Sequence, residues 1–403
     1  MRASDPRKHP FMNRIPFLIL LGGTAKLLVD TTVQIFNQFL FVIASGLGIG
    51  TVSMGRIVAL RSLTGLTAPF IGHLADRIGH RTVMRASLFT VGIAMILAPA
   101  SGSLLVFAAA VALTGAGQSG YTPNLHAYLS SKLPYEKRAT GLGIIEYSWA
   151  LAGILGLLAS GFLIEAYSWK APFYVLGAGL LIMSFVSGLL PVEDVRREHV
   201  RRRTGTLRSV FSLGEHAASA WAAIGVAGLN MFSMMHVMIA HGAWLQAEYA
   251  LRPSRLGSVA MILGFCDLTA SVLVSVFVDR IGKRKSVLIG VTGMVAGFAA
   301  LPFLNGDLVR AVASIAIPRI CFEFAVVSNF PLLSEQAPHA RGRVMSLGMT
   351  AGLIGTSVAG LTGPAAYLRY GVWGLGPVSC AAAVASLLIL VFLVRERPYS
   401  MTA

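Results

Sequence analysis

The 403-residue chain is 55% hydrophobic and only 12% charged, with a mean hydropathy of +0.71 and a formal net charge of +16. A water-soluble domain carries about 25% charged residues, so this composition excludes an ordinary soluble domain and points to lipid as the solvent. The positive charge does not make a nucleic-acid binder, because the basic residues sit in short loops between apolar runs and no aromatics interleave a basic groove.

Twelve apolar runs follow one another, near 16–43, 50–74, 82–100, 103–131, 139–167, 171–190, 217–247, 254–278, 286–304, 308–335, 343–368 and 372–394. Each is long enough for the ~20 residues that a helix needs to cross a ~30 Å hydrocarbon core. The basic stretch Met1 to Arg14 precedes a first run far longer than a signal-peptide core, which reads as a retained first helix. The 43 glycines suit helices that pack closely in lipid.

Of the 33 Lys and Arg, 24 fall before the first run or after even-numbered ones, as in Arg77, Arg81 and Arg85 or Arg280, Lys283 and Arg284. Such bias places these loops and both termini on the cytoplasmic side of an inner or plasma membrane. A polar segment at 191–216, with Arg201, Arg202 and Arg203, divides the chain into six-run units at 1–190 and 217–403. It reads as a cytoplasmic linker, solvated or lying on anionic lipid. Cys266, Cys321 and Cys380 all sit inside apolar runs, with no disulfide framework and no metal-binding spacing.

The two units repeat each other. Gly72, Asp76, Arg77, Gly79 and Arg81 follow the second run, and Asp279, Arg280, Gly282 and Arg284 follow the eighth. A basic turn with Arg138 follows the fourth run, and one with Arg341 and Arg343 follows the tenth. Aromatic reversals at Tyr167 to Trp169 and Tyr370 to Trp373 close the fifth and eleventh. Duplicated membrane bundles are mostly transporters, whose similar halves rock about a site between them.

The first repeated loop fills the pattern G-x-x-x-D-R-x-G-x-R and resembles the signature of the major facilitator superfamily. That resemblance covers essentially the whole chain. It implies an all-α membrane fold of twelve helices in two pseudo-symmetric six-helix bundles, with alternating access to a central cavity. In this reading Gly72 lets helices approach closely. Asp76 faces a neighbouring helix end and pairs with Arg138 or Arg343 as a cytoplasmic latch, and Asp279 and Arg280 supply the second copy. Ser275 stands where that copy would have its first Gly. The drug–proton antiporter branch places an Arg on helix 4, where this chain has Val111. Its Gly-Pro motif in helix 5 is met here by Gly153, Gly156 and Gly161 without the proline.

Seven ionisable residues fall inside apolar runs: Lys26, Asp30, Arg61, Glu146, Asp267, Arg319 and Glu323. Each costs roughly 2.5–3.5 kcal/mol to insert and is a functional candidate on that ground. Lys26/Asp30 and Arg319/Glu323 stand four apart, on one helix face, either as self-neutralising pairs or as cavity groups. Asp30, Asp267 and Glu323 are the candidates for proton coupling. Glu146 is assigned to the cytoplasmic gate, facing Arg138 or the signature loop. Arg61 needs an acid from another helix or an anionic ligand.

Asp30, Gln34, Asn37 and Gln38 form one polar stripe, which must face water or protein rather than lipid. In the seventh run Asn230 is a further cavity candidate, and Met234, Met238 and His241 share a face that reads as an adaptable binding wall, as packing, or as a soft-metal set suited to Cu(I). The sequence thus predicts a secondary transporter rather than an enzyme, with the cavity lined by helices 1, 2, 7, 8 and 10. It is read as a monomer without cofactor, proton-coupled, carrying a small organic solute, with export favoured over import. Rival readings are an organic anion carrier, a lipid flippase, a Cu(I) importer and a non-transporting membrane sensor or assembly factor.

Overall fold

The computed structural model describes residues 15–191, 213, 217–336 and 341–395. Most of the basic linker at 191–216 lies outside the described residues, as do the side chains of Arg138 and Asp279. Among the described residues, twelve helices are long and apolar enough to cross a membrane: α1 (Pro16–Gln38), α2 (Thr51–Ile78), α3 (His80–Ala100), α4 (Leu104–Lys132), α5 (Gly141–Ala166), α6 (Ala171–Leu189), α7 (Ala217–Tyr249), α8 (Pro253–Val278), α9 (Lys283–Leu304), α10 (Leu308–Gln336), α11 (Arg343–Tyr370) and α12 (Val372–Phe392). Their limits follow the apolar runs to within a few residues. The first run is the exception, because its helix breaks at Phe39 and resumes as Leu40–Gly46.

The duplication is visible in the packing. In the first half α3 packs on α4 and α6, and in the second α9 packs on α10 and α12. Gly79 and Gly282 join the equivalent pairs α2–α3 and α8–α9 with the same backbone, φ 90° and 95°. Only glycine adopts that conformation without strain. Each glycine is followed two residues later by an Arg that caps the end of its own bundle. Arg81 donates to the Gly188 carbonyl, and Arg284 Nε donates to Val394 O at 2.9 Å. A cation at a helix C-terminus meets the negative end of its dipole. These two arginines therefore fasten each half internally.

The halves meet along α2 against α11 and α5 against α8. The contact is tight from mid-span, where a Cβ on Gly264 would lie 2.8 Å from Ala150 O, to the end holding the α1–α2, α5–α6 and α7–α8 turns. There a Cβ on Gly161 would lie 2.5 Å from Pro253 O, and one on Gly257 would lie 2.9 Å from Leu157 O. Only hydrogen at these positions lets the backbones approach, the usual packing device in lipid. The signature loops occupy the opposite end. Gly72 does not mediate a close approach, since a Cβ there would meet nothing within 4 Å. Asp76 and Arg343 are both engaged, whereas Arg77 and Arg280 are exposed.

Candidate functional site

Between the halves lies a pocket lined by five helices. Gln34, Asn37 and Gln38 come from α1, Trp149 and Leu157 from α5, and Met234, Met235, Met238 and His241 from α7. Ala260, Leu263 and Asp267 come from α8, and Arg319, Phe322 and Glu323 from α10. Its free volume is about 30 Å³, room for one or two waters. An organic solute needs hundreds of cubic ångströms, more than this pocket holds as it stands.

Three interruptions in regular helix surround this pocket. Besides the break at Phe39, α7 turns at Ile239–Ala240, and α5 carries a π-helical segment at Ala152–Leu157. Irregular backbone inside a membrane is tolerated where it lines a protein cavity. Gln34 Nε2 donates to Trp149 O at 2.9 Å, just before the π segment.

The charges sort into two clusters. In the second half Arg319 makes a bidentate pair with Asp267, Nε to Oδ1 and Nη2 to Oδ2, both at 2.7 Å. Its remaining Nη1 donates to Met238 Sδ at 3.3 Å. The expected Arg319/Glu323 pair is therefore not formed, because Asp267 on the neighbouring helix takes the guanidinium fork. Glu323 lines the pocket with no hydrogen-bond or ion-pair partner among the described residues.

In the first half Lys26 does pair with Asp30, at 3.0 Å, and both side chains are buried. Ser148 Oγ donates to Asp30 at 2.6 Å, and Lys26 also donates to Ser148 Oγ at 3.0 Å. Glu146 does not reach toward the signature loop. It lies 3.4 Å from Lys26, and 2.7 Å from His126 Nε2. Its side chain is 53% exposed, so this cluster has one open edge.

Several candidates stay out of the pocket. Lys26 and Asp30 turn to α5 rather than the cavity. Arg61 is buried against α4, donating to Thr114 Oγ1 at 3.1 Å and Gln118 Oε1 at 2.8 Å, with its guanidinium 5.8 Å from the Phe36 ring. The pocket is lined by α5 rather than by the expected α2. Asn230 is fully buried and accepts from Ser386 Oγ at 2.7 Å, an interhelical bond. The soft-metal set is not assembled either. Met238 sulfur is spent on Arg319, and both ring nitrogens of His241 face oxygens, Met238 O at 2.6 Å and Gln38 Oε1 at 2.7 Å.

The sequence reading missed Trp149, Leu157, Leu263 and Phe322, apolar wall residues that carry no signal among hundreds like them. It also missed Ser148, which bonds Lys26 and Asp30, and His126, which lies beside Glu146; the available signal was a polar side chain inside an apolar run.

A family model described as the Major Facilitator Superfamily matches residues 23–235 and 223–403. The chain is 28% identical over 373 residues to the MFS-type transporter YceJ of Bacillus subtilis, covering 87% of this chain and 89% of that one. It is 24% identical over 322 residues to the multidrug resistance protein MdtG of Escherichia coli, 76% of each chain. Among solved structures, a variant of the nucleoside transporter NupG superposes with a TM-score of 0.77 at 14% identity, covering 92% of this chain and 99% of that one. A bacterial homologue of the human lysosomal transporter Spinster, inward-facing and occupied, gives 0.70 at 15% identity over 96% of each chain. At such identities the two structures speak to the fold alone.

Proposed function

The chain belongs to the Major Facilitator Superfamily and is a membrane transporter rather than an enzyme, and from that premise we propose that it exchanges a small amphiphilic organic cation for a proton. The observation that carries this reading is the free carboxyl of Glu323 in a wall of Met234, Met235, Met238, Trp149 and Phe322. Methionine and aromatic side chains form an adaptable surface for apolar bodies of varied shape.

Charge balance supplies the mechanism. Asp267 and Arg319 neutralise each other, so one negative charge remains in the pocket when Glu323 is ionised. A bare carboxylate in a closing, water-poor cavity is costly. Either a proton or a cationic solute removes that cost, and one carboxyl accommodates one of them at a time. Competition for Glu323 then couples outward movement of the solute to inward movement of a proton. With the basic signature loops in the cytoplasm, the end sealed by Gly161 and Gly257 faces outward, and the described state is closed to the outside. The name of MdtG as a multidrug resistance protein supports export of such solutes.

The test uses proteoliposomes with an imposed pH gradient and tetraphenylphosphonium as the probe cation. Accumulation in the acidic compartment is expected, and Glu323→Gln should reduce it by about tenfold or more, the equivalent of one charge-assisted contact. Accumulation of an organic anion instead, unaffected by Glu323→Gln, would sink the reading.

A further inference from the structure

The breaks in α1 and α7 meet. Gln38 is the last residue of α1 before Phe39, and His241 is the first helical residue after the turn in α7. The backbones are close enough that a Cβ on Gly242 would meet Gln38 O. Gln38 and His241 are 2% and 1% exposed.

The hydrogen bonds at this junction carry a constraint. Gln38 Nε2 donates to Leu256 O at 2.6 Å, which fixes the amide with Oε1 toward His241. The imidazole therefore lies between two acceptors, Gln38 Oε1 on Nε2 and Met238 O on Nδ1. A neutral imidazole has a single N–H and can satisfy only one of them; the imidazolium satisfies both. Turning the Gln38 amide over would leave its Oε1 against Leu256 O, exchanging one mismatch for another.

Gln38 belongs to the first half, and His241 and Leu256 to the second. We propose that His241 is a second proton-binding site, whose imidazolium clasps the two halves at the outward end. The inference rests on the exchange reading above and adds the step that links proton loading to closure. Loading from outside completes the Gln38–His241–Met238 chain and shuts that end. Loss of the proton leaves one acceptor without a donor, a penalty of the kind that makes buried unmade hydrogen bonds expensive, and the end loosens.

Opposing influences act on the ring. Burial and the Arg319 guanidinium, which touches Met238, oppose a charged ring. The two acceptor oxygens favour it, as do Asp267 on α8 and Glu323 on α10, which line the same pocket. Among the described residues no titratable side chain of α5 lines it, and α1 offers there the neutral Gln34, Asn37 and Gln38. On α7 itself His236 points away, with Nδ1 3.4 Å from Ser379 Oγ. Since His241 and Glu323 share one cavity, a proton taken at the outward end can pass to the carboxyl that the solute displaces.

The test measures distances between spin labels by double electron–electron resonance. Leu105 and Val309, each 79% exposed at the outer starts of α4 and α10, take the labels, with Cys266, Cys321 and Cys380 replaced by Ala. The full chain is placed in lipid nanodiscs without solute and titrated over pH ~5–8, where imidazole changes charge. The otherwise unmodified labelled protein should shift toward longer distances as pH rises. His241→Gln should lose that shift, and Gln38→Met should hold the longer distances throughout. Glu323→Gln should keep the shift while losing cation transport. A distribution that ignores pH in the parent protein overturns the proposal, as does a shift that survives His241→Gln. Failure of the exchange reading shows separately, as cation transport that is absent or indifferent to Glu323→Gln.

Discussion

The two halves carry buried charge in opposite ways. In the first, Lys26, Asp30, Ser148 and Glu146 close on one another across α1 and α5, and every member has a partner. In the second, Asp267 and Arg319 consume each other and leave Glu323 over. A duplicated frame has thus kept charge at similar depth while dividing the labour. A satisfied cluster binds α1 to α5 within the half. An unsatisfied carboxyl invites a ligand. The cations differ as well: lysine can give up its proton when isolated, whereas arginine in practice cannot.

The sharpest way to break this comparison is Asp267→Asn. It strands a permanent charge in the second half, for which about 3–5 kcal/mol of lost stability is expected, read as thermal unfolding in detergent. Should Glu323 swing in as the substitute partner, the loss shrinks but cation transport fails. A small loss with transport intact would mean that the bidentate pair is not what occupies Arg319. Next in size is Lys26→Met. Asp30 keeps the hydroxyl of Ser148 and can itself take a proton, so about 1.5–3 kcal/mol is expected. If Lys26→Met proves worse than Asp267→Asn, the difference between lysine and arginine does not govern these clusters.

Why the pairs could not be read from sequence follows from these same residues. Spacing along a helix shows which side chains share a face, and so it joined Lys26 to Asp30 correctly. The same spacing left Arg319 and Glu323 open between a mutual pair and two cavity groups, and they line the cavity without pairing to each other because Asp267 takes the guanidinium where α8 crosses α10. Apolar length and basic loops made the twelve helices legible, and Gly79 with Gly282 made the duplication legible. Polarity alone could not separate cavity from seam: Gln34 and Gln38 reach the pocket, whereas Asn230 bonds to Ser386 and Arg61 to Thr114. A polar side chain in lipid needs a partner of some kind, and its sequence does not say which.

The smallest effect belongs to Glu146, at the open edge of the first cluster. Its carboxylate touches Lys26 at 3.4 Å but is half exposed, so solvent and salt screen the contact. Glu146→Gln should cost at most about 1 kcal/mol. The melting temperature of the wild-type protein should fall slightly between about 0.1 M and 1 M salt, and that of the variant should fall less. Lys26 retains Asp30 and Ser148 in the variant, so the buried part of the cluster survives. A loss matching that of Lys26→Met would make Glu146, not Asp30, the anchor of the lysine. Asp30 would then be the member left over, and the two halves would each hold one unpaired acid instead of dividing the labour between them.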